Sequence, residues 1–410
     1  MTSVSTSTIM VLSYAVVSRA TLLLATIFVA SLLSPADFGL YSYIVVTASS
    51  IATLSSFGIG VTCNVTASKN YIQDPQLVTA VYSAVIIICG LLSLLISMGF
   101  AIPVNEISSK LSYWQAFMLL FLLSILMTNT AAIEGLFYGL RLNKTMIVIA
   151  IIVFISVIIS TILLTSKYFL IGAIAGLVLH RVISFLCFAG ALKLKTGVKV
   201  SRKMIFERDK DVKARMLEIS LPIAFASTIS GPVTALAIYV LEFRSGLVAV
   251  AEFTLAYQFY IVGVFVPGAL SHFILSLSSS GEAEPVRVLK QSLLVSLSYG
   301  FLAIIGLGLV PILIPYVIKN IVLELPIMLY FGIAVFFYSL SVPFHSYWSA
   351  TGKAKIVFWS QLSWAASMIL IVYTVGRGDT SPTLIAISIA VGSGVQLVVN
   401  VCTFWYRRNS

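Results

Sequence analysis

Few side chains in this sequence could bind or move another molecule, and their spacing is unusual. Arg19 and the pair His180-Arg181 lie near the middle of apolar blocks about twenty residues long. Glu134 lies one turn from the end of another such block, and His272 and His345 lie near the ends of two more. An ionisable group inside an inserted helix is costly, about 2.5–3.5 kcal/mol for an arginine near its centre, and usually faces an interior. Arg19 and Arg181 have no obvious carboxylate at their own depth, so an anionic visitor best explains them. A guanidinium offers paired N–H donors that suit a pyrophosphate. The alternatives are that each arginine snorkels or bonds backbone carbonyls, or that Arg181 reaches Glu134, which would then have an ion-pair or packing role. His180, His272 and His345 titrate in the range needed to carry a coupling proton; the alternative is a hydrogen-bonded place at a helix interface.

The elements that must position these groups follow from composition. The chain has 410 residues, 60% of them hydrophobic and 10% charged, with a mean hydropathy of +1.07. A soluble domain carries about 25% charged residues, so this chain has too little charge to cover a surface in water. Its apolar blocks match the length that spans about 30 Å of hydrocarbon as a helix. Ile86–Phe100 and Met146–Thr165 have almost no polar side chains. The roughly ten-residue alternation of a membrane β-barrel is absent. The N-terminus has no basic residue before the first block and no small-residue cleavage site after it, so that block reads as a spanning helix and not a signal. Cys63, Cys89, Cys187 and Cys402 are scattered, with no CxxC or metal-ligand spacing, so no metal site, cofactor or disulfide framework is expected.

The blocks predict an all-α, polytopic membrane protein of about twelve spans: 9–32, 39–63, 77–100, 113–138, 145–164, 169–192, 217–241, 250–276, 289–317, 326–350, 355–375 and 382–405. With the N-terminus cytoplasmic, eighteen of the 25 Lys and Arg fall in cytoplasmic segments, five in external loops, and two, Arg19 and Arg181, in the membrane. That bias predicts cytoplasmic N- and C-termini, and an odd number of spans would spoil it. The net charge of +11 therefore reports topology; nucleic-acid binding would not make basic charge follow loop parity.

The one long polar stretch, 193–216, lies mid-chain with six spans on each side. It reads as a cytoplasmic linker between an N-terminal lobe, 1–192, and a C-terminal lobe, 217–410. The halves echo each other: Ala36-Asp37-Phe38-Gly39-Leu40 matches Ala251-Glu252-Phe253-Thr254-Leu255, and Gly139-Leu140-Arg141 with Lys144 matches Gly352-Lys353 with Lys355. Two copies of six spans share an orientation, which predicts two six-helix lobes around a central cavity, a transporter plan. Asp37 and Glu252 are read as caps. Pro232, Pro267, Pro311, Pro315 and Pro343 are read as lying within spans, and Pro35, Pro75 and Pro103 in loops. Gly231-Pro232 reads as a hinge or a static kink. The pairs Gly172/Gly176 and Gly135/Gly139 have the spacing of close helix packing. Gly139 to Thr145 lacks the second glycine and the strand of a phosphate loop, and Asn64-Val65-Thr66 falls on the cytoplasmic side, so neither motif survives.

Leu33-Ser34-Pro35-Ala36-Asp37-Phe38-Gly39-Leu40-Tyr41 resembles the signature that follows the first helix of polysaccharide exporters. Ser56-Phe57-Gly58-Ile59-Gly60 is similar to that family's second-helix turn. Glu134 through Arg141 resembles its fourth-helix end, and Leu221-Pro222 fits the opening of its seventh helix. On these residues the chain resembles the polysaccharide transporter family of the multidrug/oligosaccharidyl-lipid/polysaccharide (MOP) exporter superfamily, O-antigen flippases above all. The resemblance implies a MATE-like fold in a bacterial inner membrane and a transporter, not an enzyme. It also implies transfer of an undecaprenyl-pyrophosphate-linked oligosaccharide from the cytoplasmic to the periplasmic leaflet. Coupling to H⁺ or Na⁺, and a polysaccharide polymerase or chain-length regulator as partner, are the further expectations. The competing readings are a multidrug/cation antiporter of the same superfamily, expected to carry mid-membrane carboxylates, and a membrane-embedded O-antigen polymerase or glycosyltransferase. The longest external loop, about 101–112, is short for an enzyme and has no paired carboxylates.

Overall fold

The computed structural model describes residues 2–56, 58–71, 73–108, 111–208, 210–212, 229–279, 284–351, 353–374 and 380–409. These residues form helices and connecting turns with no strand among them, as a chain bathed in hydrocarbon requires. In chain order they are α1 (Thr2–Leu32), α2 (Pro35–Ser56), α3 (Ile59–Asn70), α4 (Pro75–Ile107), α5 (Tyr113–Gly139) and α6 (Asn143–Thr196). There follow α7 (Arg202–Glu207), α8 (Ser230–Ser279), α9 (Pro285–Leu313), α10 (Leu325–Ala350), α11 (Ala354–Thr374) and α12 (Pro382–Asn409), with a 3₁₀ turn at Ile314–Tyr316.

Ten helices among the described residues are long and apolar enough to cross a membrane. Two of them are double. α6 runs for 54 residues and is divided at Phe169, whose φ of 50° is not helical; α8 runs for 50 and is divided at Gly246, φ 78°. Counted as arms, these supply the predicted spans. The seventh, 217–241, falls partly outside the described residues. α2 and α3 are one predicted span, interrupted at Gly58, which sits at φ 67° in the left-handed region that glycine tolerates.

Polar residues punctuate the helix starts. Ser34 Oγ accepts from the Asp37 N–H at 3.2 Å and donates to Asp37 Oδ2 at 2.9 Å, so Ser34 is the cap of α2 and Asp37, expected to cap, is its first-turn partner. Asp74 accepts from the Leu77 N–H ahead of Pro75, and Ser112 with Gln115 makes a reciprocal capping box on α5. None of the three prolines expected in loops lies in one: Pro35 and Pro75 are the first residues of α2 and α4, and Pro103 lies inside α4. The helix outlasts the apolar run because 33 residues reach about 50 Å, well beyond the hydrocarbon, and its last turns accept polar residues.

The chain divides into two compact units. The first holds Met1–Leu32 and Tyr43–Ala235; the second holds Leu33–Ser42 and Leu236–Ser410. In the first, α3, α4, α5 and α6 close around Ile59, Cys63, Val81, Ile133, Phe137 and Met146. Both glycine pairs serve close approach. A Cβ on Gly135 would fall 2.0 Å from the Gly60 carbonyl oxygen, and one on Gly172 would fall 1.8 Å from that of Leu164. The polar stretch after α6 does not hang free. Tyr71 donates to the Thr196 carbonyl, the Ser201 N–H to Ser83 Oγ, and Arg208 pairs with Asp74 at 3.1 Å. The first unit thus carries the polar stretch at least to Val212, whose side chain is buried.

In the second unit, Phe253 packs on Tyr257 and Phe331 and is fully buried, as is Phe38. Gly39, in the segment that opens α2, meets the Leu247 backbone so closely that a Cβ would fall 1.9 Å from its oxygen. The two copies of the sequence echo, around Asp37 and around Glu252, thus lie in the same unit.

Gly135→Val should therefore misfold or lose at least about 1–3 kcal/mol of stability, the usual cost of overpacking. Gly190→Ala, with nothing within 4 Å of the new Cβ, should be neutral. Thermal unfolding and size-exclusion profiles of the purified protein distinguish the two, and equal behaviour would contradict the packing described.

Candidate functional site

Polar side chains at helical spacing on three helices of the first unit converge. α1 contributes Tyr14, Ser18 and Thr21, residues four and three apart and so on one face. α5 contributes Thr130 and Glu134, again four apart, and the second arm of α6 contributes His180, Arg181 and Ser184. Ala150 and Val153 from the first arm of α6 and Phe188 from the second complete an apolar wall. The pocket is small: it has room of about 60 Å³ for water-sized groups, well below the roughly 300–1,000 Å³ of small-molecule sites.

A direct side-chain bond joins α1 to α5: the Tyr14 hydroxyl donates to Glu134 Oε1 at 2.7 Å. The Tyr14 ring is buried and stands edge-on to Tyr138 and Phe188, which fixes the hydroxyl's direction. The hydroxyls of Thr21 and Thr130 are spent on the carbonyls one turn earlier in their own helices. Ser18, Ser184 and the imidazole of His180 complete the polar lining.

The structure brings Arg181, Glu134 and His180 together, and both Arg181 and Arg19 act electrostatically on the Glu134 carboxyl. The expectation that no carboxylate shares the arginines' depth therefore does not hold. It rested on fractional position along each block, and α5, at about 40 Å for 27 residues, is too long for that measure to give depth. Arg19 is exposed, one position past Ser18, and does not line the pocket. His345 is in the second unit, tied to Ser360 and Asn400. The side chain of His272 lies outside the described residues. Gly231 and Pro232 form the first turn of α8, after residues outside the described set; the Gly231 carbonyl accepts from Ser50 Oγ at 3.0 Å, and its Cα faces the Thr53 side chain.

Sequence reasoning missed Tyr14, Ser18 and Thr21. The signal was present: three hydroxyl residues at i, i+4 and i+7 in an otherwise apolar span. Chemically, the pocket pairs an acceptor held by a tyrosine with a guanidinium donor. In a medium of low dielectric, carboxylate and guanidinium hold each other near neutrality. An incoming anion would compete with Glu134 for the arginine's donors. Among the described residues no group of three or more His, Cys, Asp or Glu could hold a metal.

Residues 5–270 match the model of a family described as polysaccharide biosynthesis protein. No curated protein matches the chain in sequence. Among solved structures, an inward-facing multidrug resistance MATE family transporter of the MOP superfamily aligns with a TM-score of 0.77 at 14% identity, covering 98% of each chain. The lipid II flippase MurJ, in an inward closed conformation, aligns with a TM-score of 0.72 at 16% identity, covering 95% of this chain and 87% of its own. A MOP superfamily transporter from Pyrococcus furiosus, described by a reversed polarity of its binding pocket, aligns at 0.69 and 14%, covering 98% and 94%. At these identities the likeness establishes the fold alone.

The Tyr14–Glu134 bond should be measurable. Tyr14→Phe should cost about 1–2 kcal/mol. In a double-mutant cycle with Glu134→Gln, read by denaturant unfolding in detergent, the two changes should couple by about 1 kcal/mol. Strict additivity would show that the bond contributes nothing.

Proposed function

We propose that this chain, which belongs to the polysaccharide biosynthesis protein family, is a flippase for undecaprenyl-pyrophosphate-linked oligosaccharide. Its cargo in this reading is an O-antigen repeat unit or a similar precursor of surface polysaccharide. The protein sits in a bacterial inner membrane with both termini in the cytoplasm and carries the cargo from the cytoplasmic to the periplasmic leaflet by alternating access. Residues 1–192 and 217–410 act as its lobes, joined through 193–216.

One observation carries the reading: a polar pocket inside the apolar first unit, where Arg181 presents a guanidinium beside Glu134. A pyrophosphate is the headgroup of lipid-linked sugars, and a planar fork of donors suits it. Arg19, exposed on α1 and close enough to act on Glu134, is placed to meet the anion on its way in or out. The fold shared with a lipid II flippase adds support. A chain-length regulator or polymerase that consumes the flipped product is the partner this function implies, and H⁺ or Na⁺ the coupling ion.

A second reading, a multidrug or cation antiporter, draws on Glu134: a carboxylate in an intramembrane pocket is what a cation pump needs. The two readings separate by residue. In the flippase reading Arg181→Ala abolishes surface polymer at normal protein level, and Arg181→Lys, which keeps charge but loses the fork, retains a part of it. Deletion of the gene leaves lipid-linked repeat units on the cytoplasmic face of the membrane. If Arg181→Ala and Arg19→Ala both support full-length surface polymer, the anion-binding role is wrong. Loss of drug resistance in Glu134→Gln with polymer intact would favour the antiporter.

A further inference from the structure

Apart from the pocket of the first unit, the described residues place one titratable side chain at a junction of three helices in the second unit. His345 projects from α10 near the end that leads into α11. Its Nε2 lies 3.1 Å from Ser360 Oγ on α11 and 3.3 Å from Asn400 Nδ2 on α12. Asn400 Nδ2 also donates to Ser360 Oγ at 3.0 Å and to the Gln396 carbonyl at 3.0 Å. Ser360 and Asn400 are fully buried, and His345 as a residue is half-buried.

The carbonyl of Gln396 settles which end of the Asn400 amide faces inward, because only a donor can face a carbonyl oxygen at 3.0 Å. The amide's two N–H groups go to that carbonyl and to Ser360 Oγ, and Nε2, 3.1 Å from Ser360 Oγ, is the acceptor within reach of the Ser360 hydroxyl's own proton. This packing holds the neutral ring. The other end of the same amide, Asn400 Oδ1, is buried and has no hydrogen-bond partner among the described residues. An acceptor that could receive an Nε2–H thus stands unused on the side chain whose Nδ2 lies 3.3 Å from Nε2.

We propose that His345 is the proton-binding site of the transport cycle, and that the Asn400 amide reads its protonation state. When Nε2 takes a proton, it and the Ser360 hydroxyl become two donors facing each other, and the amide N–H beside them offers no acceptor. The amide turns so that Oδ1 accepts from Nε2–H, and the ties of Asn400 to Ser360 and to the Gln396 carbonyl are lost. Proton binding thereby changes how α10, α11 and α12 are held together, and the arrangement seen here is the proton-released state. Among the described residues, the elements packed around the ring bring no charged group onto it. Arg287 and Lys290 on α9, Lys353 and Lys355 at the start of α11, and Arg407 on α12 are all exposed, and none acts electrostatically on His345. From α8, the Ser271 carbonyl is taken by Ser346, the next residue along α10. The proposal rests on the flippase reading only for the cargo that the proton drives.

Two measurements on the full-length protein test it. In proteoliposomes loaded with undecaprenyl-pyrophosphate-linked oligosaccharide, a pH gradient should accelerate flipping by the unaltered protein, and His345→Gln and Asn400→Leu should lose that acceleration. Full gradient response in a folded His345→Gln overturns the proposal. If no variant flips the lipid, the flippase reading fails by itself, and the second measurement still decides. In protein labelled with ¹³C-histidine, the His345 resonance, assigned with His345→Gln, should titrate as pH falls from about 8 to about 4. Asn400→Leu should displace that titration. A resonance that stays constant over the range, or one that Asn400→Leu leaves where it was, overturns the proposal.

Discussion

A backbone amide in hydrocarbon must find its partner within the protein, and the rest of this structure follows from that constraint. It forces the described residues into helices and makes every break a managed site. The breaks at Gly58 and Gly246 use the one residue that adopts a left-handed backbone without cost. Phe169 adopts it without that freedom, and the arms on either side of it meet at Gly172 and Gly176, where the lack of a side chain lets the backbones approach. Hydroxyl side chains obey the same constraint. Thr21, Thr26, Thr130, Thr254 and Thr403 each return their proton to a carbonyl one turn earlier.

Groups that cannot satisfy themselves locally must meet each other, and this creates the two polar centres. In the first unit Tyr14, Glu134 and Arg181 come from three different helices and share a pocket in an otherwise apolar bundle. In the second, His345, Ser360 and Asn400 do the same. Each centre concentrates chemistry because polarity is affordable inside a membrane only where several polar groups gather. The first sets a guanidinium beside a carboxylate; the second sets an imidazole among uncharged hydrogen-bonding side chains.

Much of this was legible in the sequence. Block length gave the spans, because hydrocarbon thickness fixes it. The Ser34–Asp37 cap and the glycine pairs were legible because capping and close approach each have local spacing rules. What the sequence hid was rotation about helix axes and depth. A span that is apolar on all sides carries no periodicity to say which way Arg19 or Arg181 points, so Arg19, expected beside Arg181, lies exposed and off the pocket. Depth was misjudged for Glu134 and Pro103 because α5 and α4 run longer than the membrane is thick. The tie between His345 and Asn400 joins residues 55 apart in sequence, and no local pattern announces it.

The central claim is that the pocket beside Arg181 receives a lipid-linked pyrophosphate. The most direct measurement is binding of undecaprenyl pyrophosphate and of undecaprenol, which lacks the phosphates, to the purified protein, with and without Arg181→Ala. The account predicts that the pyrophosphate lipid binds more tightly than the alcohol and that the substitution erases the difference. Equal affinity for the two lipids, or a preference untouched by Arg181→Ala, would contradict it.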